Sequence, residues 1–224
     1  MKHESVAHDR APGMITLPRP RLTHERSLEW ALAARRSVRE YLRVPLALRE
    51  LGQLLWAAQG FTSADGLRTT PSAGALYPLE VYAVIGSVDD IPSGIYRYAA
   101  RRHTISPVVS GNHRADLAIA ALGQEFVREA AAVIALVAVP SRTTEKYGAR
   151  GLRYVHMEVG HAAQNVCLQA VALDLGCVVV GAFDDTAIKK ALGLGAIEEP
   201  MCVIPVGQPL GRHRDEARVS SRRR

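Results

Sequence analysis

The sequence predicts an α+β fold on three observations. LEVYAVIG at 79–86 and AAAVIALVAV at 130–139 are short and rich in β-branched residues, as strands are. From about Tyr147 to Leu175 an apolar stripe recurs at helical spacing, which marks a long helix. Between them, strand and helix signals interleave without the strict strand–helix–strand rhythm of a parallel sheet. A chain of 224 residues that is 48% hydrophobic can bury one sizeable core, so a single domain is expected.

The elements follow in order. Residues 1–26 are polar and punctuated by proline, and read as an arm with little structure of its own. Ser27 stands at the N-cap position before LEWALAARRS, a short helix with Leu28, Ala31 and Leu32 on one face,. In LALRELGQLLWAAQ (46–59), Leu48, Leu51, Leu55 and Ala58 keep helical spacing, and Gly60 reads as the stop,. TPSAGALYPLE (70–80) then gathers Pro71, Ser72, Ala73 and Gly74 in one bend. So many small residues let a backbone come close to something flat or large. GIYRYAARRHTISPVV (94–109) reads as a hairpin, 114–122 as a helix, and 131–139 as a strand buried on both faces,. In the long helix Leu152, Val155, Val159, Ala162, Val166, Ala170 and Leu173 trace the stripe, and Gly176 ends it. CVVVG (177–181), a helix at 185–192 and MCVIPVG (201–207) complete the domain.

Charge and cysteine usage narrow the function. The net charge is +6, but the last fourteen residues, GRHRDEARVSSRRR, carry +4 of it. The rest is nearly balanced, so the basic tail at 211–224 reads as a solvated terminus and a nucleic-acid partner is not expected. No apolar run reaches the length of a membrane span, and MKHESVAHDRAPG lacks the apolar core of a secretory signal,. Three scattered cysteines without CxxC spacing suit buried thiols in a reducing cytoplasm. No metal site is expected. In HMEVGH (156–161) the histidines stand five apart, about 140° around a helix, so one ion cannot take both.

RRSVRE (35–40) is the first chemical cluster. Arg35, Arg36 and Arg39 can be the basic last turn of a helix, where cations suit the dipole. They can equally be a phosphate clamp, because guanidinium forks match phosphate oxygens and Ser37 adds a neutral donor. There is no GxGxxG after a strand, no Walker A loop and no GxSxG elbow at Ser72,.

Taken together, RRSVRE, PSAGALYPLE, GQEFVREA (123–130) and VVVGAFDD (178–185) resemble the nitroreductase family. The Leu-Tyr-Pro-Leu-Glu ending and KYGARGLRY are similar to its SagB/ThcOx-type dehydrogenase branch. The resemblance covers about 27–209. It implies a mostly antiparallel sheet flanked by helices, FMN as cofactor and a homodimer whose subunits complete each other's flavin pockets. By resemblance, Pro71, Ser72, Ala73 and Gly74 lie beside the flavin ring, with backbone and the Ser72 hydroxyl towards it. Arg35, Arg36, Ser37 and Arg39 hold the phosphate and ribityl chain, Gln124 reaches the flavin, and Gly181-Ala182 face its reactive edge. A further basic residue after the last strand falls on Arg212 or Arg214. Lys146 and Tyr147 match the Lys-Tyr pair credited with the proton transfers of azoline oxidation. The residues themselves also allow a second role for the pair, as the opening of the long helix.

The expected activity is oxidation of an azoline-like or other small organic substrate with FMN as acceptor. Two alternatives stand beside it: a nitro or quinone reductase fed by NAD(P)H, and a flavin-binding module without turnover. Modified-peptide members often carry an extra segment for a leader peptide. Here an arm of about 26 residues precedes the domain, which leaves open a stand-alone role on small molecules.

Overall fold

The computed structural model describes residues 13–211. Seven strands form one sheet in the order β1-β4-β3-β2-β5-β7-β6. They are β1 (Ile15–Thr16), β2 (Leu79–Ile85), β3 (Gly94–Ala99), β4 (Thr104–Ser110), β5 (Ala132–Ala138), β6 (Gly176–Cys177) and β7 (Glu199–Gly207). Every named pair is antiparallel. The helices are α1 (Leu28–Ala34), α2 (Leu48–Gln59), α3 (Arg114–Ala120), α4 (Glu125–Glu129), α5 (Ser141–Tyr147), α6 (Arg150–Ala172) and α7 (Asp185–Leu192).

Side chains alternate along a strand, and here both faces are covered. Val81, Ala83, Ile134 and Leu136 join α2 and α6 in one core. Tyr82, Val84, Val133 and Ala135 join α3 and α7 in the other. β5 is buried at every position, as its unbroken apolar run predicts.

Several expectations need correction. The described part of the arm is structured: Ile15 pairs with Ile105, Leu17 is buried, and the Arg21 amide donates to Gln53 Oε1. Two residues of strand are too few to leave a period in sequence. Of the expected face of α1 only Ala31 is buried; Leu28 and Leu32 are 62% and 53% exposed. Gly60 has φ −66° and so is no left-handed stop. It is glycine because a Cβ there would lie 2.0 Å from the Trp56 ring. Gly148, at φ +56°, divides the expected long helix, so Lys146 and Tyr147 close α5 and do not open α6. Leu152 is exposed and off the stripe, whereas Glu158 is buried on it. Of CVVVG only Cys177 pairs in a named strand, and Val180 adds a single bridge to Val203.

The register decides where the site residues fall. Leu79 pairs with Ala138, so the bend before β2 and the helix after β5 meet at one end of the sheet. Ala132 pairs with Val206, and Val206 with Cys177, so the segments around β6 and before β5 meet at the other. The seven residues of β5 hold the two ends about 20 Å apart.

Candidate functional site

The first group lies around β6. Beyond α1 the chain runs beside β6: Ser37 bridges Cys177, and the Val38 amide donates to the Cys177 carbonyl at 2.9 Å. The approach is close enough that a Cβ on Gly176 would meet Val38 at 2.6 Å. Arg35 is half-buried, while Arg36, Ser37 and Arg39 are exposed. Arg36 Nη1 donates to the carbonyls of Ala33 and Arg35, both at 2.8 Å. It therefore serves the open end of α1 as a basic last turn does. The Arg39 guanidinium lies 5.9 Å from the centre of the Phe126 ring in α4. Gln124 Nε2 donates to Ala121 O (2.8 Å) and Ala182 O (3.0 Å), tying the turn before α4 to the turn before α7.

Gly181 and Ala182 are exposed, and a Cβ on Gly181 would meet nothing within 4 Å. Among the described residues, Arg35, Arg36 and Arg39 pair with no carboxylate. Three guanidiniums and a hydroxyl beside an open backbone turn suit a phosphate with a flat group next to it. The donor set fits FMN. Arg212 and Arg214 lie outside the described residues.

The second group is the bend. Gly74, Ala75 and Tyr77 have φ of +65°, +54° and +48°, a left-handed conformation costly for residues with a Cβ. A Cβ on Gly74 would sit 2.7 Å from Tyr147 Oη and 3.1 Å from Lys146 Nζ. Within the chain, what comes close to this backbone is the Lys-Tyr pair. The Tyr147 ring stacks edge-on against Tyr154 at 5.1 Å, and Arg142 ties α5 to Tyr77 O and Glu80. Pro71 and Gly74 are exposed; Ser72 and Ala73 are half-buried. Ser72 Oγ accepts from the Tyr77 amide at 2.9 Å, which turns part of its hydrogen-bonding capacity inward.

Behind the bend stands a buried polar layer. Thr70 Oγ1 donates to Ala58 O, and Asn165 Nδ2 donates to Thr69 O and Thr70 Oγ1. Gln59 and Glu158 are 1% and 2% exposed, and Gln59 Nε2 donates to Glu158 Oε1 at 3.1 Å. Burial pushes the Glu158 carboxyl up, while the nearby Ser72 hydroxyl, the Gln59 amide and the Arg68 charge pull it down. The sequence reading passed over this layer. Its signal was a carboxylate set inside an apolar stripe, three residues after Val155 and four before Ala162. A cavity of about 450 Å³ bounded by Arg43, Ser87, Arg114 and Arg128 includes none of the expected site residues.

The chain matches the model of the nitroreductase family over residues 32–208. It belongs to the nitroreductase family. A Methanocaldococcus jannaschii protein named as a nitroreductase is 48% identical over 186 residues, covering 83% of this chain and 93% of that protein. A Ralstonia eutropha crystal structure described as a nitroreductase aligns with TM-score 0.78 at 30% identity, over 88% of this chain and 90% of that one. The Escherichia coli microcin B17-processing protein McbC is 29% identical over 158 residues, covering 66% of this chain and 57% of that protein. This nitroreductase-family chain is therefore an oxidoreductase of a family typically dependent on FMN. No helix among its described residues is long and apolar enough to cross a membrane.

Proposed function

We propose that the protein is an FMN-dependent dehydrogenase of the SagB kind, acting as a homodimer on an azoline-like or other small organic substrate. The observation that carries this reading is Gly74, whose missing side chain makes room for Tyr147 Oη and Lys146 Nζ. Arg35, Arg36, Ser37 and Arg39 would hold the phosphate and ribityl chain, Gln124 would steady the neighbouring turn, and Gly181-Ala182 would lie against the ring. Bound there, FMN supplies a two-electron carrier. Lys146 Nζ takes the proton that leaves the substrate, and Tyr147 Oη relays or donates one. Lys146 is exposed and Tyr147 half-buried in the single chain, so both are open to a substrate.

One chain does not bring Arg35–Arg39 and the bend together, because the sheet sets the β6 end and the bend end about 20 Å apart; Gly181, next to Val180, which bridges Val203 opposite Ala135, lies nearer the middle. A two-fold partner completes the arrangement by placing its bend against this chain's clamp. Exposed Leu28 and Leu32, one turn apart on α1 beside the clamp, offer apolar surface for it. The three cysteines are buried and free, which supports a reducing cytoplasm.

A second reading, an NAD(P)H-fed nitro or quinone reductase, is favoured by the 48% identity to a protein named as a nitroreductase. Purified protein denatured after expression in a flavin-replete host should release FMN. Release of FAD, or no flavin after reconstitution, overturns the cofactor assignment. A solution mass of a monomer with full flavin occupancy overturns the dimer. Bleaching of the bound flavin by a thiazoline peptide under anaerobic conditions supports the dehydrogenase, and bleaching only by NADH or NADPH supports the reductase.

A further inference from the structure

We propose that Arg142 is a positioning residue: anchored by Glu80, it sets α5 against the small-residue bend and so fixes where Lys146 stands. The consequence for turnover rests on the dehydrogenase reading above; the consequence for the helix and the bend does not.

The two segments are joined at their roots. The Val139 amide, just before α5, donates to the Pro78 carbonyl, just after the bend, at 2.8 Å. From there α5 runs beside Ser72–Tyr77 and meets it at two places. Arg142 Nη1 donates to Tyr77 O at 3.2 Å. Lys146 Nζ and Tyr147 Oη stand over Gly74, 3.1 and 2.7 Å from where a Cβ would be. Arg142 and Lys146 are four residues apart, so they lie one turn apart on the same side of α5. A shift of the helix at Tyr77 is therefore also a shift of Lys146 at Gly74.

A long exposed side chain keeps such a contact only where its own freedom is limited. Glu80 supplies the limit. Its Oε1 accepts from Arg142 Nη2 at 2.5 Å, and its Oε2 accepts from Arg97 Nη2 at 3.0 Å and Nε at 3.3 Å. The Glu80 side chain is 14% exposed, so solvent competes little for it. Glu80 lies on β2 and Arg97 on β3, which fixes the carboxylate to the sheet. One arm of the Arg142 fork is thereby held by the sheet, and the other reaches the bend; a rigid guanidinium plane carries the constraint across. The acceptor, Tyr77, has φ +48°, a conformation that lasts only where its surroundings hold it.

Tyr147 has a second support, its edge-on stack on Tyr154 of α6. Lys146 is exposed and takes its place from the backbone of α5. Because the Arg142 side chain is itself 39% exposed, its loss should cost the fold little. A reacting group displaced by about 1 Å, in contrast, can slow turnover by about 10².

Five proteins are compared: wild type, Arg142→Ala, Glu80→Ala, Lys146→Ala and Arg142→Ala/Lys146→Ala. The readouts are amide hydrogen exchange at Tyr77, which donates within the bend to Ser72 Oγ, and at Val38, which donates to Cys177 O far from it. Flavin content, the maximal rate of anaerobic flavin bleaching by a thiazoline peptide and the half-saturating peptide concentration are measured beside them.

Arg142→Ala and Glu80→Ala should each speed exchange at Tyr77 and leave Val38 and flavin content unchanged. The maximal rate should fall about tenfold to a hundredfold, with the half-saturating concentration within about twofold. Adding Arg142→Ala to Lys146→Ala should lower the rate no further, because the group that Arg142 places is gone. Wild-type exchange and rate in Arg142→Ala overturn the proposal. A slower rate with unchanged Tyr77 exchange also overturns it, since Arg142 then acts on the substrate. A further loss in the double variant overturns it too, because Arg142 then works other than through Lys146. Wild-type behaviour of Glu80→Ala overturns the anchor, and if that variant does not fold, Arg142→Ala decides alone. If wild-type flavin is not bleached by the thiazoline peptide, the dehydrogenase reading fails, and Tyr77 exchange decides whether Arg142 sets α5 against the bend.

Discussion

The two ends of the sheet are built in opposite ways. At the bend, side chains from α2, α5 and α6 gather around the backbone, the positive φ of Gly74 favours glycine, and buried polar groups meet partners except Arg68 Nε and Thr143 Oγ1. At the clamp, Arg35, Arg36 and Arg39 have no carboxylate partner among the described residues, and Gly181 faces open space. One end is largely closed by the chain itself, and the other presents guanidiniums without carboxylate partners among the described residues. The difference teaches that a small residue has two uses here. At Gly74 it admits a neighbour already present, and at Gly181 it borders open space. Substitutions at the two ends should therefore fail differently.

The largest expected effect is at the bend end and concerns turnover. Lys146→Ala should lower azoline oxidation about 10²–10⁴-fold, as loss of a general base does. Flavin content, read by absorbance, should stay unchanged. Tyr147→Phe should cost less if its hydroxyl only relays, and neither variant should slow an NAD(P)H-fed reductase assay. A Lys146→Ala protein that loses its flavin would make the pair structural. One that keeps both flavin and azoline oxidation would leave Lys146 with no chemical role.

At the clamp end the expected effect is on affinity. Arg39→Ala should weaken FMN binding by about 1.5–3 kcal/mol, the range for a charged hydrogen bond. Arg36→Ala should weaken it less, because Arg36 Nη1 already serves the α1 carbonyls, and part of its loss should appear as a lower melting temperature. Titration of flavin-stripped protein by fluorescence quenching measures both. Equal losses from the two arginines would show that Arg36 leaves α1 when flavin binds.

The two glycines sharpen the comparison directly. Gly74→Ala combines φ +65° with a Cβ 2.7 Å from Tyr147 Oη, and should destabilise the fold by about 1–3 kcal/mol in denaturant unfolding. Gly181→Ala meets nothing within 4 Å and should stay within about 0.5 kcal/mol of wild type, yet weaken FMN binding. A stable Gly74→Ala protein would mean that Tyr147 gives way and that the bend is less determined than its contacts imply.

Much of this was legible in the sequence. The β2 and β5 runs, Ser27 as N-cap and the α7 bounds all leave local periodic or capping signals, and each stands where the sequence places it. The break at Gly148 was missed because a single glycine between two helical patterns looks like one helix from residue spacing alone. β1 was missed because its pairing with β4 is non-local and two residues long. The clamp and bend residues were proposed through motif resemblance, but where the fold places Arg35–Arg39 relative to the bend is a matter of strand register. Glu158 was passed over because a lone polar residue in an apolar stripe declares itself only when its partner Gln59 is seen beside it.

The smallest expected effect is a pH dependence confined to the bend end, through His103 in the β3–β4 turn. Its Nε2 faces the Pro18 carbonyl at 2.8 Å and so carries a hydrogen, while Nδ1 accepts from the Tyr98 hydroxyl at 2.8 Å. That arrangement needs a neutral ring, and burial holds the imidazole below its ordinary value of 6.5 despite the pull of the Pro18 carbonyl. The unfolded chain therefore binds more protons as pH falls. The His103 contribution is fully present above about pH 6.5 and is lost as pH drops through the lower folded value. Glu158 has the opposite sign, since its raised carboxyl favours the folded state as pH falls. The net slope thus needs a variant to read it. Glutamine at 103 can donate to Pro18 and accept from Tyr98 without titrating. His103→Gln should remove the acid-side loss of protection at the Leu17 amide, which donates to His103 O. The cost of placing glutamine at φ +48° is the same at pH 7 and pH 5.5, so it cancels in the comparison. Clamp-end amides should show no difference between wild type and variant. If they do, or if Leu17 protection falls as steeply in His103→Gln, the acid sensitivity belongs to another group.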